Sequence, residues 1–273
     1  MIIWIASYPK SGNTWLRAFL SAYLYGNNNK FDFSLLKKIP KFPHKKLFDG
    51  IVDIESFKKK KFEIVKYFIV AQQKLNLDNS IKLLKTHNAY VSYKNNWFSD
   101  EKNTKAYIYL VRDPRSVVLS LSSYQKVSVE RATDLMLNQG VYGSDDEDDL
   151  MIDIRSSWKI NYQSWKKKKD YNGIVVKFED LIDNTEVEFE KILFFLKKII
   201  KINIDKNKIL KSVNACQFLK LSKMEDAHGF DEAAKNKFFR KGKKDSWKNE
   251  LSKDLRKKIE ENLEDEMNEL GYL

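Results

Sequence analysis

The sequence predicts an α/β fold, a central parallel β-sheet flanked by helices, and three observations carry that expectation. Short apolar runs such as Ile2-Ile3-Trp4-Ile5-Ala6 lack polar alternation, as strands buried on both faces do. Between them lie longer stretches whose apolar residues recur every three or four positions, the period of a helix face. The two kinds of segment alternate along the chain, which is the order of βαβ units and of parallel strands. The 273 residues suffice for a large core without staples, and no repeat or convincing linker divides them, so one domain over 1–273 is expected.

Taken in order, residues 2–7 form the first strand, bounded by Pro9 and Gly12. Leu16, Phe19, Leu20 and Tyr23 then keep helical spacing from Asn13 to a stop at Gly26. Residues 27–50 carry Pro40 and Pro43 and read as loop with at most a short helix. The stretch 54–77 is helical in pattern, and 81–86 and 106–111 are two more short strands. A helix over 115–124 follows Asp113-Pro114, proline being favoured at a helix start. The acidic stretch 144–149 reads as a solvated loop leading into a helix over 150–167, since its five carboxylates lack the spacing of a calcium loop. Residues 173–178 are a fourth strand. Thr185 and Glu188 read as a capping box opening a helix with Phe189, Ile192, Leu193 and Leu196 on one face. Residues 208–216 are helical, and Leu251, Leu255, Ile259 and Leu263 predict one amphipathic helix over 251–270, stopped by Gly271.

Composition excludes several classes. With 42% hydrophobic and 32% charged residues the chain is neither disordered nor fibrous. A single cysteine, Cys216, excludes a disulfide framework and a cysteine-based zinc module. No apolar run approaches the ~18 residues of a membrane span. The first run is too short for a signal peptide, so a cytoplasmic protein is expected. Lys and Arg number 50 against 38 Asp and Glu, a net +12. Much of that excess reads as lysine on solvated faces, because only seven of the 50 cations are arginine. Arg112, Arg115 and Arg240 nevertheless fall inside the sharpest motifs, and planar arginine suits bidentate phosphate contacts.

Four motifs carry chemistry. The first strand runs into Tyr8-Pro9-Lys10-Ser11-Gly12-Asn13-Thr14-Trp15, so a helix N-terminus with free N–H groups and a mobile lysine makes an anion cradle. It is not GxxxxGK[ST]. The second, Leu84-Lys85-Thr86-His87, ends a strand, which places His87 beside the phosphate loop, where neutral histidine suits a general base. The third, Tyr109-Leu110-Val111-Arg112-Asp113-Pro114-Arg115-Ser116 followed by Ser120, offers a grip for a second phosphate. The fourth, Phe238-Phe239-Arg240-Lys241-Gly242 followed by Trp247-Lys248, joins cations to a glycine that lets the backbone approach an anion, with aromatics to pack on an adenine face. Taken singly, each also fits an ordinary turn, a strand-capping histidine or a basic surface loop.

In this order and spacing the four resemble the cytosolic-type sulfotransferases that use 3′-phosphoadenosine 5′-phosphosulfate (PAPS). The resemblance covers most of the chain and implies a P-loop nucleoside-kinase-like fold. It implies that the loop of Lys10, Ser11, Gly12, Asn13 and Thr14 holds the 5′-phosphosulfate and that Trp15 stacks on adenine. Arg112 and Ser120 would hold the 3′-phosphate, with Arg240, Lys241 and Gly242 assisting, and His87 would be the base. Phe178 and Cys216 occupy adenine-flanking positions that in the family usually carry hydroxyl groups. Sulfuryl transfer would then proceed in line, with Lys10 and Lys85 stabilising developing charge, Ser120 linking the 3′-phosphate to Lys10, no metal ion, and adenosine 3′,5′-bisphosphate (PAP) as product. Asp245 replaces a usual glycine and is expected to face solvent or a lysine with no need of positive φ. The animal enzymes' dimerisation motif has no match after Lys248, so the oligomeric state stays open.

Two other classes fit the sequence less well. A P-loop kinase or NTPase would need GK[ST] and a strand-terminal aspartate, and a nucleic-acid or membrane binder driven by charge would leave Lys85-Thr86-His87 without a use. Segments 27–60, 88–97 and 225–238 are expected to shape an acceptor site, rich in aromatics and lysine and compatible with a phenol, a lipid alcohol or an anionic sugar.

Overall fold

The first strand is buried on both faces along its whole length, which is why its sequence shows no polar alternation. The structure, a computed structural model, describes the chain apart from residues 28–29, 58–59, 141–151, 169–170, 234–236, 241 and 243. In chain order it has β1 (Ile2–Ser7), α1 (Asn13–Tyr25), α2 (Phe68–Leu75), β2 (Lys82–Thr86), a hairpin of β3 (Ser92–Tyr93) and β4 (Asn96–Trp97), and β5 (Thr104–Val111). There follow α3 (Pro114–Gln125), α4 (Val129–Leu137), α5 (Trp158–Lys166), β6 (Asn172–Lys177), α6 (Phe178–Asp183) and α7 (Thr185–Lys197). Then come α8 (Lys206–Ala215), α9 (Phe218–His228), the short α10 (Trp247–Glu250), α11 (Lys253–Asn262) and α12 (Glu264–Glu269). Four strands share one sheet in the order β2-β1-β5-β6, and β1 is parallel to both its neighbours. The expected parallel α/β fold is the one observed.

The chain packs into two compact units. The first comprises Met1–Pro9, Pro40–Val111 and Met136–Val175. At its centre Trp4 is fully buried against Phe98 and Phe42, with ring centroids 4.8 and 5.5 Å away, and its indole N–H donates to Thr104 Oγ1 at 3.0 Å. Residues 40–42 add a rung outside β2: Lys85 donates its N–H to the Pro40 carbonyl at 2.9 Å, and Phe42 donates to the Lys85 carbonyl at 2.7 Å.

The second unit comprises Lys10–Ile39, Arg112–Leu135 and Val176–Leu273. Helix α1 packs on α7 through Phe19 and Phe189, whose rings lie nearly parallel with centroids 3.7 Å apart. Two buried arginines tie distant segments together. Arg17 donates to the Ile39 and Leu36 carbonyls at 2.8 and 3.2 Å and to Glu232 at 2.7 Å. Arg115 holds Asp113 through Nη2 at 2.8 Å, donates to the Tyr272 carbonyl at 2.7 Å, binds Glu260 and lies 3.7 Å over the Trp247 ring.

Several local expectations are corrected. The pattern over 54–77 splits into two 3₁₀ turns, Ile54–Phe57 and Lys61–Tyr67, before α2, because Lys60 at φ −137° and ψ 47° leaves helical geometry. The helix expected over 150–167 starts only at Trp158, capped by Ser157 on the Ile160 N–H. Ile154 is instead zipped to Asn88 and Ala89, donating to Asn88 Oδ1 at 2.7 Å and accepting from the Ala89 N–H at 2.8 Å. The acidic stretch 144–149 lies outside the described residues. The fourth strand ends at Lys177, and Phe178 opens α6. No capping box forms at Thr185, whose hydroxyl donates back to the Leu181 carbonyl at 2.7 Å. The tail is two helices, because Leu263 at φ −122° interrupts it, and Gly271 at φ 70° follows as expected. Asp245 does need positive φ, at 62°, although it faces Lys248 as expected, 3.4 Å away.

Arg115→Met would leave Asp113 and Glu260 without their buried cation. Urea unfolding should show a loss of ~3–5 kcal/mol, the usual result of breaking a buried pair from one side. A loss under ~1 kcal/mol would mean that Arg115 ties nothing together.

Candidate active site

In the second unit the chain leaves β1 through Lys10, at φ 68°, and Gly12, at φ 96°, and α1 begins at Asn13. Gly12 is the N-cap, and no side chain caps the first turn, which also holds no acidic residue. The leading N–H groups of a helix have no intrahelical acceptor and favour an anion. Glycine is required at position 12 twice over: its φ is left-handed, and a Cβ there would lie 2.5 Å from Phe178 Cδ2. Phe178 therefore packs directly on the loop. Arg112 stacks on that ring at 4.4 Å and donates through Nη1 to the Lys10 carbonyl at 3.1 Å.

The Lys10 ammonium lies 4.3 Å from the Tyr124 ring centre and 4.0 Å from that of Phe238. Tyr124 stands one helical turn beyond Ser120 on α3, so Lys10 reaches the helix face that carries Ser120. Trp15 donates its indole N–H to the Cys216 carbonyl at 2.9 Å and meets Phe178 edge to face at 6.0 Å. The Cys216 thiol is buried with Ala18, Ala22, Leu221 and Phe239, and burial pushes its pKa up to about 12. Phe239 thus belongs to the core, while Phe238 packs on Lys10. Arg240 is exposed, and Gly242, at φ 57°, leaves no room for a Cβ beside Phe218. Lys241 lies outside the described residues. Sequence reasoning missed Glu225, which accepts the N–H groups of Phe238 and Phe239 at 2.6 and 2.8 Å and pins that segment. Its partners lie thirteen and fourteen residues away, beyond the reach of local spacing.

In the first unit His87 follows β2. Its Nδ1 lies 2.9 Å from the Ser7 carbonyl oxygen and 3.3 Å from Ser7 Oγ. A carbonyl only accepts, so Nδ1 carries the proton and Nε2 keeps its lone pair. Burial holds the imidazole well below the usual histidine range, and the cations Lys85 and Arg155 push the same way against Asp153 and the Ser7 carbonyl. The backbone here is held from several sides. Asn161 Nδ2 donates to the His87 carbonyl at 3.0 Å and to that of Arg155 at 2.7 Å, and Asn161 Oδ1 accepts from Tyr109 Oη at 2.8 Å. Asn88 accepts the Trp165 indole N–H on its carbonyl at 2.9 Å. Lys85 and Thr86 are buried.

The profile described as the sulfotransferase domain matches residues 2–271. The chain belongs to that family. It is accordingly a PAPS-dependent sulfotransferase, with PAPS as co-substrate and PAP as product. It is 25% identical to flavonol 3-sulfotransferase of Flaveria bidentis over 99% of this chain and 83% of that protein. To sulfotransferase 1 family member D1 of Mus musculus it is 27% identical, over 95% of this chain and 81% of that one. Its fold is that of a mouse sulfotransferase crystallised with PAP, with a TM-score of 0.64 at 20% identity over 97% of this chain and 84% of the other. Retinol dehydratase in a complex with retinol and PAP gives 0.62 at 18% identity, over 97% and 81%.

The residues of this sulfotransferase fit a phosphate donor. Ser11 is wholly buried in the loop, and its hydroxyl has no hydrogen-bond partner among the described residues, as expected of a group kept for a ligand. Among those residues no helix is long and apolar enough to cross a membrane.

The folded protein refuses at His87 a proton that the unfolded chain accepts near 6.5. The resulting contribution to stability is full above that pH and is lost as pH falls from 6.5 toward the lower folded value. An NMR titration of the His87 ring protons should show a midpoint well below 6.5, whereas a midpoint at or above it would mean a hydrated imidazole.

Proposed function

We propose that this sulfotransferase transfers the sulfuryl group of PAPS to a hydroxyl or amine of a small-molecule acceptor, with His87 as general base. The observation that carries the reading is the Nδ1 contact with Ser7, which leaves Nε2 as a proton acceptor on a ring kept neutral by its surroundings. Lys10, Ser11, Gly12, Asn13 and Thr14 hold the 5′ end of the donor, which supplies the sulfuryl group. Arg112, Ser120, Arg240, Lys241 and Gly242 hold its 3′-phosphate, and Trp15, Phe178 and the Cys216 segment flank the adenine. Lys85 neutralises sulfuryl oxygens.

Lys10 changes partner in this scheme. Its two ring contacts are each worth ~0.5–2 kcal/mol. An arriving phosphate offers the ammonium's three donors more than one charged oxygen, each bond worth ~1.5–3 kcal/mol, and so draws it off the rings. The flavonol sulfotransferase among the relatives supports a hydroxyl acceptor of small-molecule size, and the name of cytosolic sulfotransferase 12 of Arabidopsis thaliana supports a cytoplasmic location. The repeated passage of the chain between its two units is the reason we propose a single domain over 1–273.

His87→Ala should lower kcat by ~10²–10⁴, the usual worth of a general base, while PAP binds nearly as before. Equal losses of turnover and PAP affinity would make the histidine structural. Arg112→Ala should weaken PAP by ~2–4 kcal/mol and adenosine 5′-phosphate by under ~1 kcal/mol, as loss of a charge-assisted phosphate contact requires. The same penalty for both nucleotides in calorimetry would mean that Arg112 serves only the Lys10 carbonyl.

A further inference from the structure

Asp153 is 2% exposed, in the unit that carries His87. Two cations share one of its oxygens. Lys41 Nζ and Arg155 Nη2 both lie 3.4 Å from its Oδ2, and Lys85 and His87 act on it through space. Asn88 Nδ2 donates to its other oxygen at 3.4 Å. Among the described residues Lys41 and Arg155 both depend on this one carboxylate. Burial alone would raise the Asp153 carboxyl, but Lys41, Arg155, His87 and Lys85 outweigh it and hold it at about 2, so it stays ionised at any working pH.

Neither Lys41 nor Arg155 is satisfied by this arrangement. Charge-assisted bonds normally close to ~2.7–2.9 Å, so one oxygen shared at 3.4 Å saturates neither. The Arg155 Nε is buried with no hydrogen-bond partner among the described residues, a costly state for a guanidinium N–H. Both side chains keep some access to solvent, 30% for Lys41 and 19% for Arg155. Were Asp153 their whole purpose, one cation would be enough.

The backbone ties both residues to His87. Lys41 is the rung paired with Lys85, two residues before His87 in the chain. Arg155 shares an anchor with His87, because the same Asn161 amide donates to both carbonyls. A group seated on Lys41 and Arg155 is therefore held at a set place relative to the proposed base.

We propose that Lys41 and Arg155 bind an oxyanion carried by the acceptor, so that the hydroxyl compound sulfated by this enzyme is an acid, a carboxylate or a phosphate or sulfate ester. The inference rests on reading His87 as the base, and it narrows the acceptors the sequence allows from phenols, lipid alcohols and anionic sugars to those bearing a negative charge. An oxyanion would offset the two undersatisfied cations at the parts of their side chains that solvent still reaches.

The test is a charge series on the protein saturated with PAP. Calorimetry would compare 4-hydroxyphenylacetate with 4-ethylphenol and tyramine, and glucuronate with glucose, and labelled PAPS would report transfer to each. We expect 4-hydroxyphenylacetate to bind at least tenfold tighter than 4-ethylphenol, tyramine to bind worst, and 500 mM KCl to erase the difference. The phenol and sugar arms show which frame carries the charge. Lys41→Gln and Arg155→Gln should each bring the ratio of the two phenols to within threefold. The wild-type series needs no substitution, so a variant that fails to fold leaves the test standing. Equal affinities, a preference for tyramine, no binding of either acid, or a ratio untouched by both variants overturns the inference. If PAP binds and 4-ethylphenol is the better acceptor, the sulfotransferase reading stands and only the acidic acceptor falls. Failure of PAP to bind overturns both.

Discussion

The contact of the Phe178 ring with Gly12 governs the loop between β1 and α1 of this enzyme. A strand that must turn within a few residues into a helix needs left-handed backbone, and here Lys10 and Gly12 supply it. Because Gly12 has no Cβ, Phe178 can close on the loop. The other consequences follow from that ring. Arg112 stacks on it and so reaches the Lys10 carbonyl, and Trp15 meets its edge. With the carbonyl of Lys10 held there, its ammonium rests on Tyr124 and Phe238. A single absent methyl group therefore organises a cation, an aromatic platform and an uncapped helix start.

Arginine is scarce in this chain, and the fold spends part of it internally. Arg115 stands in a motif that reads as phosphate-binding, yet its guanidinium is consumed by Asp113, Glu260, the Tyr272 carbonyl and the Trp247 ring. Arg17 is used in the same way. Planar, always charged and weakly hydrated, arginine suits buried ties as well as it suits phosphate, so residue type alone does not separate the two roles. Lysine, strongly hydrated, decorates the surface and accounts for most of the net charge. Lys10, Lys41 and Lys85 are exceptions because backbone geometry brings them to the ends or edges of strands.

Around His87 the organising constraint is satisfaction of buried polar groups. Asn88 and Asn161 each serve several backbone and side-chain partners, so the histidine backbone has little freedom. The same network keeps 152–157 out of a helix and delivers Asp153 and Arg155 to the histidine. A neutral ring is then the expected protonation state, because burial with Lys85 and Arg155 outweighs Asp153 and the Ser7 carbonyl.

The sequence by itself determined the four strands of the main sheet, the turn at Gly12 into α1, the helix start at Pro114 and the glycine stop at Gly271, but not the β3–β4 hairpin. Each rests on local physics: apolar runs for buried strands, glycine for left-handed backbone, proline at a helix start. Partners distant in the chain decided the rest. Thr185 looks like the start of a capping box, but a carbonyl of the preceding helix takes its hydroxyl. The helical period over 150–167 continues past Trp158 toward the N-terminus, but Asn88, sixty-six residues from Ile154, offers those backbone groups better partners. Asp245 takes a left-handed conformation that nothing in its neighbours requires. Glu225, Asp153 and Asn161 carried no signal, because a buried polar side chain is identified by what it bonds, and its partners are set only when the chain has closed on itself.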